Sequence, residues 1–267
     1  MTLPLPVSLT PSKVASFKDC ALAFRFSAID RLPEPPSAAA TKGTLVHHAL
    51  ELLFCEEPAR RTPDTAMSCL ARARREMASH PEFVGLGLDT EAESRFVEEA
   101  EALIGRYFEL EDPTAVHPIG LELRLEATLG SLTLRGVIDR LERDPDGGLV
   151  VTDYKTGRVP SVMHEQSRLG GVHFYAFLCE QVLGVRPVRI QLLYLSAPLA
   201  IVAEPSEQSV RGMQKRAMAI WKAVETACQR DDFRPHPSRL CDWCAFRDYC
   251  PAFGGNPAQA RELVGVG

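Results

Sequence analysis

The chain has 267 residues, 45% of them hydrophobic, and a formal net charge of −5. That length can bury a full core, and that composition is ordinary for a globular protein. No apolar run approaches a membrane span, the N-terminus lacks a charged-then-apolar leader, and the acidic balance restricts any nucleic-acid binding to a local basic patch.

Thr10-Pro11-Ser12 reads as a helix start, with Thr10 as cap and Pro11 where its missing N–H is harmless. The pattern Val14, Phe17, Leu22, Phe26 predicts one helix to about Ile29, with Cys20 inside it. A Pro- and Ala-rich linker follows from Leu32 to Ala40, then a helix from Gly43 to Phe54. Residues 64–79 and 90–110 read as two more amphipathic helices. The period then changes. Ile119 to Leu129, Leu132 to Leu141 and Leu149 to Tyr154 have strand character. Leu129-Gly130-Ser131 and Asp144-Pro145-Asp146-Gly147-Gly148 supply the turn chemistry of an antiparallel meander between them. A helix from about Gln166 to Leu183, strands at Val188 to Ser196 and Leu199 to Val202, and a long helix from Glu204 to Arg230 complete the order. This is an α/β chain with a mixed sheet flanked by helices. It reads as one domain over 1–267: a helical part to 115, a sheet core over 116–203, a helix and cysteine segment over 204–254, and a tail over 255–267.

Two adjacent strands carry acids. Gly136-Val-Ile-Asp139-Arg closes one, and Val150-Val-Thr-Asp153-Tyr-Lys155-Thr-Gly157 closes the next. Acids on neighbouring strands can converge on one divalent cation, and Lys155 shares the face of Asp153 by the strand period of two. Two carboxylates and a lysine are the parts of metal-assisted phosphodiester hydrolysis, with Mg²⁺ or Mn²⁺ as the cation. The plain alternative is that the acids form turns and Lys155 is solvated.

The third feature is Cys241-Asp-Trp-Cys244-Ala-Phe-Arg-Asp-Tyr-Cys250-Pro. Its spacing gathers three thiols, one short of the four that zinc or an iron–sulfur cluster takes. The sequence holds eight cysteines, and in a cytoplasmic setting they read as metal ligands or free thiols rather than disulfides. Cys55, Cys69, Cys179 and Cys228 fall on predicted helices and read as buried free thiols.

Asp139 with Asp153-Tyr154-Lys155 resembles the signature of the PD-(D/E)XK nuclease superfamily, and the surrounding words Gly-Val-Ile-Asp-Arg and Asp-Tyr-Lys-Thr-Gly resemble its RecB-like exonuclease branch. Gly43-Thr-Leu-Val-His47-His-Ala-Leu-Glu51 is similar to that branch's metal-binding helix, and the resemblance implies His47 as a ligand beside Asp139 and Asp153. It implies Lys155 and Tyr175 as further catalytic residues. Ser12 to Phe26 resembles the opening segment of the branch, whose single cysteine is here Cys20. The resemblance therefore implies a [4Fe–4S] clasp on Cys20, Cys241, Cys244 and Cys250, as in AddAB-type nuclease domains and CRISPR-adaptation nucleases. The cluster is expected to be structural and to join the first helix to the last segment. By count alone zinc remains open. One ligand about 220 residues from the others, and Pro251 after the last cysteine, favour the cluster.

The branch carries Gln-x-x-x-Tyr on the helix after the lysine strand. Here Tyr175 fits, but Gly171 stands at the glutamine position, with Gln166 out of register and His173 either a substitute or a structural residue. Glu122 reads either as a further carboxylate at the site or as an exposed edge residue. Glu51 lies a turn beyond His47 and is expected to face the same site, whereas His48 points about 100° away from His47. Arg211, Lys215, Arg216, Lys222, Arg234 and Arg239 read either as a phosphate-tracking stripe or as a solvated face. Trp243 reads as a base-stacking ring or a shield for the cluster. The resemblance implies a stand-alone, metal-dependent DNA exonuclease of repair or recombination, acting on single-stranded or duplex ends. The chain has no phosphate-binding motor motif, so unwinding falls to a separate helicase. A non-cleaving DNA-binding module and a zinc-stabilised binding protein are the alternatives.

Overall fold

The computed structural model describes residues 3–159 and 162–262. The chain forms two compact units. One comprises Met1–Pro35, Glu126–Gly136 and Arg211–Gly267, and the other Pro36–Leu125 and Val137–Val210.

The second unit begins with α3 (Ala38–Phe54), α4 (Pro63–Met77), the single turn α5 (Pro81–Val84) and α6 (Thr90–Tyr107). Side-chain caps start all four: Ser37 accepts from Ala40 N at 3.5 Å, Thr62 from Thr65 N at 3.2 Å, His80 from Glu82 N at 3.4 Å and Asp89 from Ala92 N at 2.8 Å. Each cap satisfies one amide that the first turn leaves without a partner. The apolar stripes of these helices form one core with Tyr154, Leu193 and Leu195. Within it Leu45, Leu50, Leu53 and Ile104 are all 1% exposed or less. Each such side chain stabilises the fold by roughly 1.5–3 kcal/mol.

The sheet runs in the order β1 (Pro118–Leu129), β2 (Leu132–Arg143), β3 (Leu149–Lys155), β4 (Arg189–Tyr194), β5 (Leu199–Ala203). β2 and β3 pair antiparallel, β3 and β4 parallel, and β4 and β5 antiparallel. A parallel pair needs a crossover, which α7 (Val162–Leu183) supplies. The sheet is mixed, as the element order leads one to expect. β2 is longer than predicted and ends at Arg143, so Asp139 lies inside the strand rather than at its end.

The first unit contains α1 (Pro11–Asp19), α2 (Ala21–Phe24), a π-helical turn (Arg25–Ile29) and most of α8 (Glu207–Arg230). Thr10 caps α1 as expected, accepting from Lys13 N at 3.2 Å. The single long helix does not form. Cys20 is extended (φ −159°, ψ 111°) and breaks it, so the thiol stands in a gap between α1 and α2. Long-range contacts outweigh local periodicity at this point. His236 N donates to Cys20 Sγ at 3.5 Å, and the His236 ring meets Asp19 O at 3.0 Å. Arg25, 6% exposed, binds Asp30 at 3.0 Å and Asp231 at 2.8 Å, joining the two ends of the chain inside this unit. The cysteine segment is three 3₁₀ turns (Arg239–Trp243, Arg247–Tyr249, Pro251–Phe253), and α9 (Pro257–Glu262) occupies part of the expected tail. No helix among the described residues is long and apolar enough to cross a membrane.

Candidate metal and catalytic site

The β2–β3 pairing ends at Arg140↔Thr152, and Asp139 and Asp153 are the next residues on the two strands. Tyr154 N donates to Asp139 Oδ2 at 2.7 Å, which fixes that carboxylate to the neighbouring strand. Asp153 is 3% exposed; the Tyr175 hydroxyl donates to its Oδ1 at 3.2 Å, and Lys155 forms an ion pair with its Oδ2. On α3, His47 Nδ1 lies 3.5 Å from Asp139 Oδ2, with its ring edge-on to Tyr154 at 5.9 Å. His47, Glu122 and Asp139 each offer a donor atom within 4.8 Å of the other two, a spacing suited to one cation. All these residues lie in the second unit.

Asp153 is not in that trio, because its oxygens are turned to Lys155 and Tyr175. Glu122 supplies the third donor. Its backbone lies in the left-handed region (φ 45°) within β1. A non-glycine residue held there costs on the order of 1 kcal/mol and commonly marks a functional site. Strand periodicity carries no trace of such a kink.

The electrostatics favour a cation. Burial would lower the His47 pKa, but its bond to Asp139 and the charges of Asp139, Asp153 and Glu122 raise it overall. Burial raises Asp153, and the nearby Asp139 charge adds to this, against the pull of the Lys155 ammonium. Glu122 is raised by burial and then by Asp139. Several anions thus share a partly desolvated space, which a bound cation relieves. Burial, together with the Asp153 charge, keeps the Tyr175 phenol protonated and therefore a donor.

Gly43 explains part of its own motif. A Cβ there would lie 3.1 Å from Thr156 Oγ1, so glycine lets the second turn of α3 approach the segment just after Lys155. On the other face of β2, Arg140 is fully buried. It pairs with Glu111 and Glu142, donates to Tyr154 OH at 2.9 Å and Thr152 Oγ1 at 3.1 Å, and lies over the Phe54 ring at 4.6 Å. That network locks β2 to β3 behind the acids. A sequence reading misses it, since an arginine next to an aspartate on a strand reads as solvated.

His48 is held apart from the trio. Its Nδ1 meets Glu51 at 3.0 Å and its Nε2 meets Glu76 at 2.7 Å. Glu51, expected at the site, is therefore engaged by His48. Gly171 and Tyr175 are four apart on α7 and share a face. His173 is about 200° round from Tyr175 and cannot take the missing amide's place. The side chain of Gln166 lies outside the described residues.

Cys20, Cys241, Cys244 and Cys250 all belong to the first unit. Burial raises Cys244, the Phe246 amide opposes this, and Cys20, Cys241 and Cys250 raise it further, so each of the three lies within electrostatic reach of Cys244. Among the described residues, no three cysteine sulfurs lie within 4.8 Å of one another. Ser238 N donates to Cys241 Sγ at 3.3 Å. Amide donors on sulfur suit thiolates that ligate a metal centre. Gly255 closes the segment. Its N–H bonds Cys250 O at 2.9 Å, and a Cβ there would lie 2.2 Å from Asp248 O, so only glycine fits. Trp243 is 80% exposed and does not shield the cysteines. Cys69, Cys179 and Cys228 are buried as expected. Cys55 is exposed, because α3 ends there and its thiol falls past the last core turn.

The sequence pattern of the PD-(D/E)XK nuclease superfamily matches residues 8–251. The chain belongs to the PD-(D/E)XK nuclease superfamily. Among solved structures, a protein from Eubacterium rectale described as a "Putative exonuclease" is similar over 89% of this chain and 86% of its own, with TM-score 0.55 and 12% identity. At that identity the likeness is one of fold. The protein SSO0001 aligns over 68% of this chain and 80% of its own, with TM-score 0.38 and 16% identity. No curated protein matches the chain. For a PD-(D/E)XK protein, the paired strand acids with Lys155 two residues on are where the superfamily's name places its signature.

Proposed function

We propose that this protein is a metal-dependent deoxyribonuclease, an exonuclease acting on single-stranded DNA ends in repair or recombination, with a separate helicase to unwind duplex. The observation that carries this reading is the convergence of His47, Glu122 and Asp139 next to the Asp153–Lys155 pair. His47, Asp139, Glu122 and, after rotation away from Lys155, Asp153 would hold Mn²⁺ or Mg²⁺. Such a cation supplies Lewis-acid charge for phosphodiester hydrolysis. Lys155, freed from Asp153, is placed to steer the attacking water or to offset charge on the phosphate. Tyr175 holds Asp153 in position through its hydroxyl, and the Tyr154 amide does the same for Asp139. The imidazole among oxygen donors favours Mn²⁺ over Mg²⁺.

In the other unit Cys20, Cys241, Cys244 and Cys250 would hold a [4Fe–4S] cluster as a structural clasp. The influence of the other three cysteines on Cys244 and the amides aimed at Cys20 and Cys241 support this. Iron and zinc analysis of anaerobically purified protein separates the cluster from zinc.

The test of activity is release of nucleotides from end-labelled single- and double-stranded DNA with Mn²⁺ or Mg²⁺, in wild type and in Lys155→Ala. Metal-dependent release that Lys155→Ala abolishes supports the reading. A wild type with full cluster occupancy that releases nothing with either metal leaves the non-cleaving DNA-binding module, which Gly171 at the usual glutamine position favours, as the better account.

A further inference from the structure

The two units carry opposite charge. The unit with the cysteines has 14 Lys and Arg against 10 Asp and Glu, and the unit with the metal site has 16 against 25. The unit proposed to cut a polyanion therefore repels it, and attraction has to come from the other unit. Within that unit the imbalance is concentrated on one helix. From Arg211 to Arg230, α8 holds five cations and one acid, Glu225. The contrast with α6 is sharp: Thr90–Tyr107 holds five Glu and two Arg, and Arg95 pairs with Glu91 along the helix. A solvated helix face normally mixes signs in this second way.

α8 buries Met213, Ala217, Trp221, Val224 and Cys228 and turns Lys215, Lys222 and Arg230 outward. Lys222, Thr226 and Arg230 follow at four-residue steps along one line of the helix. They line a groove of about 410 Å³ together with Phe17, Asp232 and Arg234. Asp232 is taken up by Arg234, at 3.1 and 3.2 Å, and Lys222 has Glu225 at 3.3 Å. Cations in a line, small residues between them and an aromatic ring in the same groove are the components of a single-strand track. Phosphates follow the charges, and a base lies against the ring.

We propose that this groove, with the outer face of α8, binds the sugar–phosphate backbone of single-stranded nucleic acid and is the grip for a strand that the metal site cuts. The ligand rests on the nuclease reading; the charge segregation and the groove do not. Phosphate contacts at Lys222 and Arg230 make binding salt-dependent, at about 0.7 in the logarithmic slope for each phosphate on a single strand.

The experiment measures anisotropy of a fluorescein-labelled 20-nucleotide oligo-dT with full-length, cluster-loaded protein, without added divalent metal, from 50 to 300 mM salt. Lys222→Glu with Arg230→Glu is expected to weaken binding ~20-fold at 0.1 M salt and to flatten the slope by about 1.4. Lys222→Gln with Arg230→Gln, which guards against misfolding by charge reversal, should flatten the slope equally with a smaller loss of affinity. Arg95→Glu with Arg106→Glu on α6 makes the same change in net charge and should leave the slope as in wild type. Equal effects from the α6 and α8 pairs, no effect from the α8 pair, or no strand bound by the wild type at 50 mM salt would overturn the proposal. So would displacement of the oligonucleotide by poly-glutamate at matched charge, which would mark the face as a site for acidic peptides. A wild type that binds through α8 but cleaves nothing upholds the groove and sinks the nuclease reading; cleavage with α8-independent binding does the reverse.

Discussion

The two units hold their chemistry in place by opposite means. In the metal-site unit the functional groups are fixed by the protein itself. Asp139 is tied to the Tyr154 amide, Asp153 is buried under Tyr175 and Lys155, and the Arg140 network braces both strands from behind. Four helices pack a continuous core beside them. In the cysteine unit the three 3₁₀ turns that carry Cys241 and lead to Cys250 contain no buried residue, and Phe246 between them is the anchor, its ring tilted against Phe26 at 5.5 Å. A segment with so little apolar burial cannot offset its chain entropy by packing alone. The metal-site unit holds its donor groups with its own side chains and core. In the cysteine unit, the proposed clasp would supply the order that packing does not.

The largest effect tests the independence this implies. Asp153→Ala should lower metal-dependent cleavage by on the order of 10³-fold or more. It removes a fully buried carboxylate whose proton affinity burial has raised, so the melting temperature should not fall. Iron content should equal that of wild type. Calorimetry and iron analysis beside the nuclease assay decide it, and loss of iron in this variant would mean the two units are not separately held.

Cys20→Ala is the converse. A bond between Cys20 and the Cys241 segment closes a loop of about 220 residues, worth ~5 kcal/mol as a chain-entropy bound. Arg25, paired with Asp30 and Asp231 in the same unit, restrains the same two ends and reduces what is lost. Iron should be lost, and hydrogen exchange should speed up over 236–255 while α3 and α6 keep their protection. Uniform loss of protection over both units would erase the contrast.

A third test concerns the close approach of α3. Gly43→Val places branched carbon where even a Cβ meets Thr156 Oγ1 at 3.1 Å. The Thr156 side chain or the second turn of α3 must give way, and a shift of that turn carries His47 with it. Cleavage should fall ~10-fold, since small displacements of a catalytic group cost on that order. Adding Thr156→Ala should recover part of the loss, and the cluster should be unaffected. Absence of rescue would show that the damage does not pass through this contact.

These residues also mark how far the sequence could be read. The strands, the mixed sheet and the nearness of Asp139, Asp153 and Lys155 follow from period-two patterning and turn residues, which are local properties. His47 was legible as a position on a helix. Glu122 was legible only as one of two alternatives, because its left-handed backbone is imposed by tertiary structure. Cys20 was placed within a helix, since the periodicity of residues 14–26 is continuous; the break answers to His236, more than 200 residues away. Arg140 was not singled out at all. Its burial depends on Glu111, Glu142, Thr152 and Tyr154 converging from three elements, and no window of sequence contains them. Asp139, Asp153 and Lys155 were reached from strand position, His47 and Tyr175 through resemblance, and geometry decides between the two readings of Glu122.

The smallest effect bears on the histidine that the metal-site unit uses for structure. Burial lowers the His48 pKa, but Glu76 and Glu51, bonded to its two ring nitrogens, raise it overall. A histidine whose folded pKa is raised stabilises the fold fully below its unfolded value of about 6.5, and that stability is lost as pH rises through the folded value. With its side chain 34% exposed, solvent screening limits the contribution to about 0.5 kcal/mol. His48→Gln should therefore lower stability at pH 6 by that amount and have almost no effect at pH 9, as read from urea midpoints. The same substitution should leave Mn²⁺-dependent cleavage near wild type, whereas His47→Gln should lower it sharply with little change in the urea midpoint. If the two variants exchange these phenotypes, His48 is the residue at the cation, and the helix phase that separates the metal site from the α3–α4 contact is reversed.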